Sequence, residues 1–347
     1  MMPCLLCRAQ YNQHQVVQVV QVVQVVQVVQ VVQVAKAKTP HLIIPSRQPS
    51  MPTPSKRLPL IAFGILGLIW GSNFIYMKMA AHSISPLQIV FFRVLCGFVP
   101  VLLYAFFSGA LKATHIKHLP HFIVMALLAT DVYYFCYATG AHMLPSGIAG
   151  ALSGAIPLFS FALSMIFLVE EKTTALKSIG VALGFLGVLL IGGIFEQNLS
   201  ASNSQGVIYM ALGSLSVGSS FVYAKKFISP LNIPAAALTT YQLGIGLLIL
   251  SIVTPFTGIN AIWSDTHAAI GLVVGLGLLG TGLAYILYYF IVSQLGAVAA
   301  ASSTYIPPVI ALLIGVLIVG EHITTVDVFG AGLILMGVVL INKRAKP

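Results

Sequence analysis

Gly71-Ser72-Asn73-Phe74-Ile75-Tyr76-Met77-Lys78, in the first half of the chain, is echoed by Gly218-Ser219-Ser220-Phe221-Val222-Tyr223-Ala224-Lys225 in the second. The echo continues downstream. Pro157 with Glu171 matches Pro307 with Glu321 at the same separation, and Gly180 and Gly187 match Gly330 and Gly337. The chain therefore holds an internal repeat, and the number of segments per copy decides the fold. Apolar runs suited to crossing a hydrocarbon core of about 30 Å as helices recur near 58–79, 86–107, 119–139, 146–169 and 175–194. Five more lie near 205–226, 234–256, 268–291, 296–319 and 325–342. Five is odd, so the second copy must enter the membrane from the opposite side. Inverted repeats place a solute site near the midplane, between halves that rock about it. The expected fold is an all-α integral membrane protein, with ten transmembrane helices in two inverted five-helix repeats, 58–194 and 205–342.

Composition excludes a soluble domain. Hydrophobic residues are 58% of the chain and charged residues 7%, with a mean hydropathy of +0.99. Soluble domains carry about a quarter charged residues, so this chain cannot cover its surface with polar groups. Lipid gives backbone amides no partner, which favours helices, and the alternation of membrane β-strands is missing. A net charge of +10 would suit nucleic acid, but the basic residues are placed otherwise. They sit in small groups between apolar runs, as orientation signals do. Lys56 and Arg57, Lys112 and Lys117, Lys172 and Lys177, Lys225 and Lys226, and Lys343, Arg344 and Lys346 all fall on one side of a ten-helix chain. The opposite loops hold essentially none besides Lys78. Both termini are thus expected in the cytoplasm, and the lean loops suit a bacterial inner membrane.

Residues 1–57 stand apart as a low-complexity, proline-rich tail. Gln15, Gln18, Gln21, Gln24, Gln27, Gln30 and Gln33 recur at period three between valines. On a helix of 3.6 residues per turn they spread round the axis, and seven amides make a poor span. The segment is instead β-prone. Met51 to Leu58 reads as a short basic leader, so translation is expected to begin at Met51; the alternative is a disordered extension. Cys4 and Cys7 lack the second ligand pair of a zinc site, and Cys96 and Cys136 lie within spans as small hydrophobes.

Trp70-Gly71-Ser72-Asn73-Phe74 in helix 1, Arg93 early in helix 2, Pro157 and Pro307, and Glu171 and Glu321 together resemble the drug/metabolite transporter superfamily, in its EamA-like ten-helix branch. The resemblance covers about 58 to 342. It implies export or facilitated movement of amino acids or similar metabolites through a central cavity. Members with this pattern carry different solutes, so the substrate is not fixed by it.

Arg93 and Asp131 are the charges furthest from a loop, and ionisable groups inside spans are functional candidates by default. At about 1.5 Å per residue both lie roughly 10–12 Å below the outer boundary, so a charge pair between helices 2 and 3 is expected. Their repeat counterparts, Tyr241 and Thr281, are neutral. One reading is a dry salt bridge pinning two helices. The other gives Asp131, with Tyr134 one turn on, a substrate ammonium or a proton. Trp70, Asn73, Tyr76, Tyr134, Tyr137, Tyr223, Tyr285, Tyr288, Tyr289, Ser303 and Tyr305 are candidates to line the cavity, suiting a zwitterion with an apolar or aromatic side chain. Tyrosines at span ends serve equally as interfacial anchors. Pro157, Pro307 and Pro308 are candidate hinges or static kinks. Glu171 and Glu321 are read as structural helix-end groups, with Thr174 and Thr325 as N-caps of helices 5 and 10.

Other patterns carry no chemistry. Gly275-Leu276-Gly277-Leu278-Leu279-Gly280 matches a dinucleotide fingerprint, but no strand precedes it, and it reads as close helix packing. His115, His118 and His121 fan over about 120°, which does not make a metal site. No metal, cofactor or catalytic cluster is called for. The partners expected are a small solute, with proton coupling open, and the lipid bilayer, with no nucleic acid and a monomer or homodimer as the unit. A membrane-embedded enzyme and a non-transporting scaffold or receptor subunit are the alternatives. The first would need converging catalytic residues, and the second larger loops.

Overall fold

Eight helices among the described residues are long and apolar enough to cross a membrane, and two shorter apolar helices complete the order. The computed structural model describes residues 57–168, 174–192, 201–295 and 302–342. Glu171, most of the tail and the 296–301 stretch therefore lie outside the described residues. In chain order the helices are α1 (Leu58–Ala81), α2 (Pro86–Phe107), α3 (Ala113–Met143), α4 (Ser146–Phe167) and α5 (Ala175–Ile191). The second half repeats the series as α6 (Ser204–Leu231), α7 (Ala235–Val253), α8 (Thr266–Leu295), α9 (Ser303–Val319) and α10 (Thr325–Asn342). No strand occurs among the described residues.

Local chemistry starts these helices where the apolar runs begin. Ser85 and Gln88 form a reciprocal capping box at α2, with Pro86 in the first turn, where a missing N–H costs nothing. Thr174 caps α5 through the Lys177 amide at 3.4 Å. At α10 the cap is Thr324 rather than the expected Thr325. Thr324 Oγ1 accepts from the Asp327 amide at 3.2 Å, and Asp327 Oδ2 accepts from the Thr324 amide at 3.0 Å. A carboxylate in the first turn makes the earlier threonine the better cap.

The halves interlock. α1 lies on α8 and α9, and α6 lies correspondingly on α3 and α4; α2 packs on α8 as α7 packs on α3, and α5 pairs with α10. Each of these contacts joins one half to the other. The α5–α10 pair shows the symmetry most directly. A Cβ added at Gly180 would stand 2.7 Å from the Gly337 carbonyl oxygen, and Gly330 faces Gly187 in the same way. The repeat aligns Gly180 with Gly330 and Gly187 with Gly337. The observed pairs are crossed, as a two-fold axis between antiparallel helices requires.

The glycines of the dinucleotide-like run serve the same close packing. Gly275 lies on Tyr76, Gly277 on Cys96 and Gly280 on Asn73, so α8 sits tightly against α1 and α2. Its middle part, Gly271–Leu283, winds as a π-helix. Large apolar side chains such as Phe107, Ile166, Ile252 and Phe329 stay exposed on the outside of the bundle, a surface suited to lipid rather than water.

Candidate functional site

Arg93 is held at the seam between the halves. It is 4% exposed and projects from α2 towards α8, where its Nε donates to Thr281 Oγ1 at 3.1 Å. Asn73 of α1 adds a second partner. With its amide turned so that both ends are satisfied, its oxygen accepts from Arg93 Nη2 at 3.2 Å and its nitrogen donates to the Ile69 carbonyl at 3.1 Å. Nη1 has the Met77 sulfur at 3.9 Å, a weak acceptor. The guanidinium carbon stands 3.8 Å from the centroid of the Tyr134 ring, a cation–π contact of about 2 kcal/mol when desolvated. No carboxylate among the described residues lies within ion-pair distance of Arg93. Thr281, Asn73, Met77 and Tyr134 thus all meet the guanidinium as neutral groups.

The expected Arg93–Asp131 pair does not form. Asp131 ends a π-turn, Leu127–Asp131, in α3. Three residues of helix leave Asp131 about 60° round the axis from Tyr134, so Tyr134 meets Arg93 while Asp131 faces another neighbour. It points at Gly246 of α7, where an added Cβ would meet its Oδ1 at 2.6 Å. Neighbouring Thr130 accepts from Gln242 Nε2 at 2.8 Å. Asp131 is 7% exposed, and neither carboxylate oxygen has a hydrogen-bond partner among the described residues.

The aromatic candidates divide. Tyr134 and Tyr137 are buried on α3, bridged by Tyr133, whose ring lies 4.9 Å and 4.5 Å from theirs. Tyr137 reaches Ser214 of α6 at 2.9 Å and packs on Phe74 of α1. Tyr285 of α8 neighbours Tyr134 and stacks on Tyr289 with centroids 6.3 Å apart. Tyr288 in turn meets Trp70 of α1. Together these form an aromatic band, buried at Tyr134 and Tyr137 and half-buried at Trp70, Tyr285, Tyr288 and Tyr289, that touches Arg93 through Tyr134. Tyr76 packs on the α8 glycines Gly271 and Gly275. Tyr223 belongs elsewhere, at the far end of α6, where its hydroxyl meets His121 Nδ1 at 2.7 Å. Ser303 is buried and Tyr305 half-buried in the first turn of α9.

Of the prolines, Pro157 lies mid-span, directly after a 3-10 turn, Ser153–Ala155, that breaks α4. Pro307 holds the same place in α9, second in the regular helix Ile306–Ile314 after the 3-10 turn Ser302–Tyr305, with Pro308 next to it. There a missing N–H breaks no helical bond.

Glu321 does more than end its own helix. Gly320 takes a left-handed turn (φ 71°) that closes α9 and aims Glu321 at the start of α4. Its Oε1 accepts from the Ser146 amide at 2.7 Å and the Ser146 hydroxyl at 2.9 Å, and its Oε2 from the Gly147 amide at 2.9 Å. Lys78 of α1 completes the group, 3.2 Å from Oε1 and donating to the Leu144 carbonyl at 3.0 Å. The carboxylate meets the positive end of the α4 dipole. Burial pushes the Glu321 carboxyl up, but the Gly147 and Ser146 amides and Lys78 outweigh it and hold the group below its usual range. Lys78 and Ser146 are functional candidates that sequence reasoning passed over. The signals available were Lys78 as the exception among nearly lysine-free loops and its repeat match with Lys225.

Chemically, the arrangement binds and holds. No group of three or more metal-ligating side chains occurs among the described residues. Comparison with known proteins agrees with a transport role. The chain is 29% identical over 284 residues to the uncharacterized transporter YoaV of Bacillus subtilis (strain 168), covering 80% of this chain and 95% of that protein. It is 28% identical to the uncharacterized inner membrane transporter YedA of Escherichia coli (strain K12), covering 82% and 91%. An uncharacterized transporter of Archaeoglobus fulgidus is 26% identical, covering 82% and 98%. A solved crystal structure with 17% identity shares the fold, with a TM-score of 0.55 over 83% of this chain and 97% of its own. The family model for EamA-like transporters matches twice, over residues 57–193 and 204–343. A bundle of apolar helices whose two halves match the same model and meet round a buried arginine is a membrane transporter, and the chain belongs to the EamA-like transporter family.

Proposed function

We propose that the protein carries small metabolites, amino acids foremost, across a bacterial inner membrane by alternating access, with the solute site at the Arg93 seam. One observation carries this reading: Arg93 of the first half is hydrogen-bonded to Thr281 of the second. A buried charge shared by two inverted halves is remade whenever they rock, as a solute site at the midplane requires. Its neutral surroundings suit a solute carboxylate, which a guanidinium grips in bidentate fashion. Tyr134 and Tyr285 supply an aromatic wall for the rest of the molecule.

The lysine pattern orients the chain with both termini in the cytoplasm. The Lys78–Glu321 latch then lies at the outer face, tying α1 and the start of α4 to the α9–α10 loop. In this arrangement the outer side is closed, and opening it requires the latch to part.

Counterflow in liposomes tests the proposal. The full chain, reconstituted and loaded with unlabelled amino acids, is offered labelled members of the same panel. Accumulation of at least one carboxylate-bearing solute is expected, with a fall of tenfold or more in Arg93→Met. No accumulation of any solute by folded, correctly inserted protein would overturn it.

A further inference from the structure

We propose that Asp131 is the seat of an exchangeable monovalent cation, a proton or sodium, separate from the Arg93 seam. Neither form of this acid is satisfied by the side chains and backbone around it. An ionised carboxylate in a protein interior needs a counter-charge or several donors, and a protonated one needs an acceptor for its O–H. Both oxygens of Asp131 are buried without a hydrogen-bond partner among the described residues, and the side chain is more than nine-tenths buried. A carboxyl group that the fixed scaffold suits in neither form is matched to a partner that comes and goes.

The surroundings are built for such a partner. The π-turn ending at Asp131 interrupts the regular ladder of α3, and the Leu128 carbonyl within it accepts from Ser216 Oγ of α6 at 2.7 Å. Turns of this kind concentrate at functional positions. Gly246 of α7, where an added Cβ would stand 2.6 Å from Oδ1 and 3.3 Å from the Thr130 methyl, lets the carboxylate lie close against the α7 backbone. The second half winds the equivalent stretch of α8 as a π-helix too, with Thr281 in the place of Asp131. The turn itself therefore does not require a carboxylate.

The tyrosines of the elements that pack here are engaged elsewhere. On α7, Tyr241 donates to the Lys112 carbonyl at 3.2 Å. On α6, Tyr209 packs on Phe135 and Tyr223 binds His121. On α3, Tyr133 and Tyr134 face Tyr137 and Arg93. A cation arriving at Asp131 thus meets a single carboxylate, which suits a single positive charge.

The test uses the purified full chain in nanodiscs and needs no transported solute, so it stands or falls apart from the transport reading. Infrared difference spectra across pH, in sodium-free choline buffer, report protonation of a buried carboxyl. Thermal unfolding in sodium chloride against choline chloride, at constant ionic strength, reports sodium binding. A carboxylic-acid band that titrates in the wild type and is lost in Asp131→Asn assigns the proton. A sodium-dependent rise in melting temperature lost in the same variant assigns sodium. Gly246→Ala keeps the carboxylate but crowds it, and is expected to shift whichever response is found. Wild type and Asp131→Asn alike in both measurements would overturn the proposal. Should Asp131→Asn not fold, an unchanged response in Gly246→Ala would overturn it instead.

Discussion

The ammonium of Lys78 lies 3.2 Å from Glu321 Oε1 at the point where α4 begins, so one ion pair ties three segments from both halves. Glu321 is the side-chain carboxylate at this helix start among the described residues, and its three bonds to Ser146 and Gly147 are charge-assisted. Replacing it with glutamine keeps the volume but removes the charge and orphans at least one donor. Loss on the order of 2 kcal/mol is expected, read as a lower melting temperature of the purified protein. Lys78, more exposed at 27%, contributes less, and Lys78→Met is expected to cost under half as much.

The same carboxylate sets an acid limit. Because Glu321 is held below its usual range in the folded protein, its contribution is complete above the unfolded value, about 4.3, and is lost as pH falls through the folded value. Melting temperature measured from neutral pH downwards is expected to fall more steeply for the wild type than for Glu321→Gln at the acid end. Parallel curves would remove Glu321 from the acid response.

At the α5–α10 interface, Gly180→Ala places a methyl 2.7 Å from the Gly337 backbone oxygen. Backbone cannot step aside as a side chain can, so a loss of about 1–3 kcal/mol is expected. Gly332→Ala, on the same α10 with nothing within 4 Å, is the control. It should be neutral or more stable by about 0.5–1 kcal/mol. Equal effects at the two positions would speak against the crossed glycine pairing.

Arg93→Lys separates charge from shape. Lysine keeps the positive charge but cannot reach Thr281 and Asn73 together while lying flat on Tyr134. Counterflow is expected to fall at least tenfold in Arg93→Lys, close to the loss in Arg93→Met. Transport near the wild-type rate would show that a point charge suffices at the seam.

The ten helices were legible because hydropathy and length are strong local signals. Inversion followed from an odd count. Neighbours were harder to read, because a hydropathy run gives a helix its depth but not its azimuth. Arg93 and Asp131 share a depth along α2 and α3, yet Arg93 turns to α8 and Asp131 faces Gly246 of α7. Glu321 was recognised as a helix-end group, but its helix is α4, 175 residues away; only folding brings them together. The glycines matched by the repeat were visible in advance, and their crossed pairing is what inversion dictates once α5 meets α10.

The most direct test of alternating access is to hold the latch shut. Lys78→Cys with Glu321→Cys, in a background where Cys4, Cys7, Cys96 and Cys136 are replaced by serine or alanine, is bridged by a short thiol-reactive cross-linker cleavable by reductant. Counterflow of the amino-acid panel is then compared before bridging, after bridging and after reduction. The account predicts that bridging abolishes counterflow and that reduction restores it. Undiminished counterflow in fully bridged protein would contradict it, because the outer side would then not need to open.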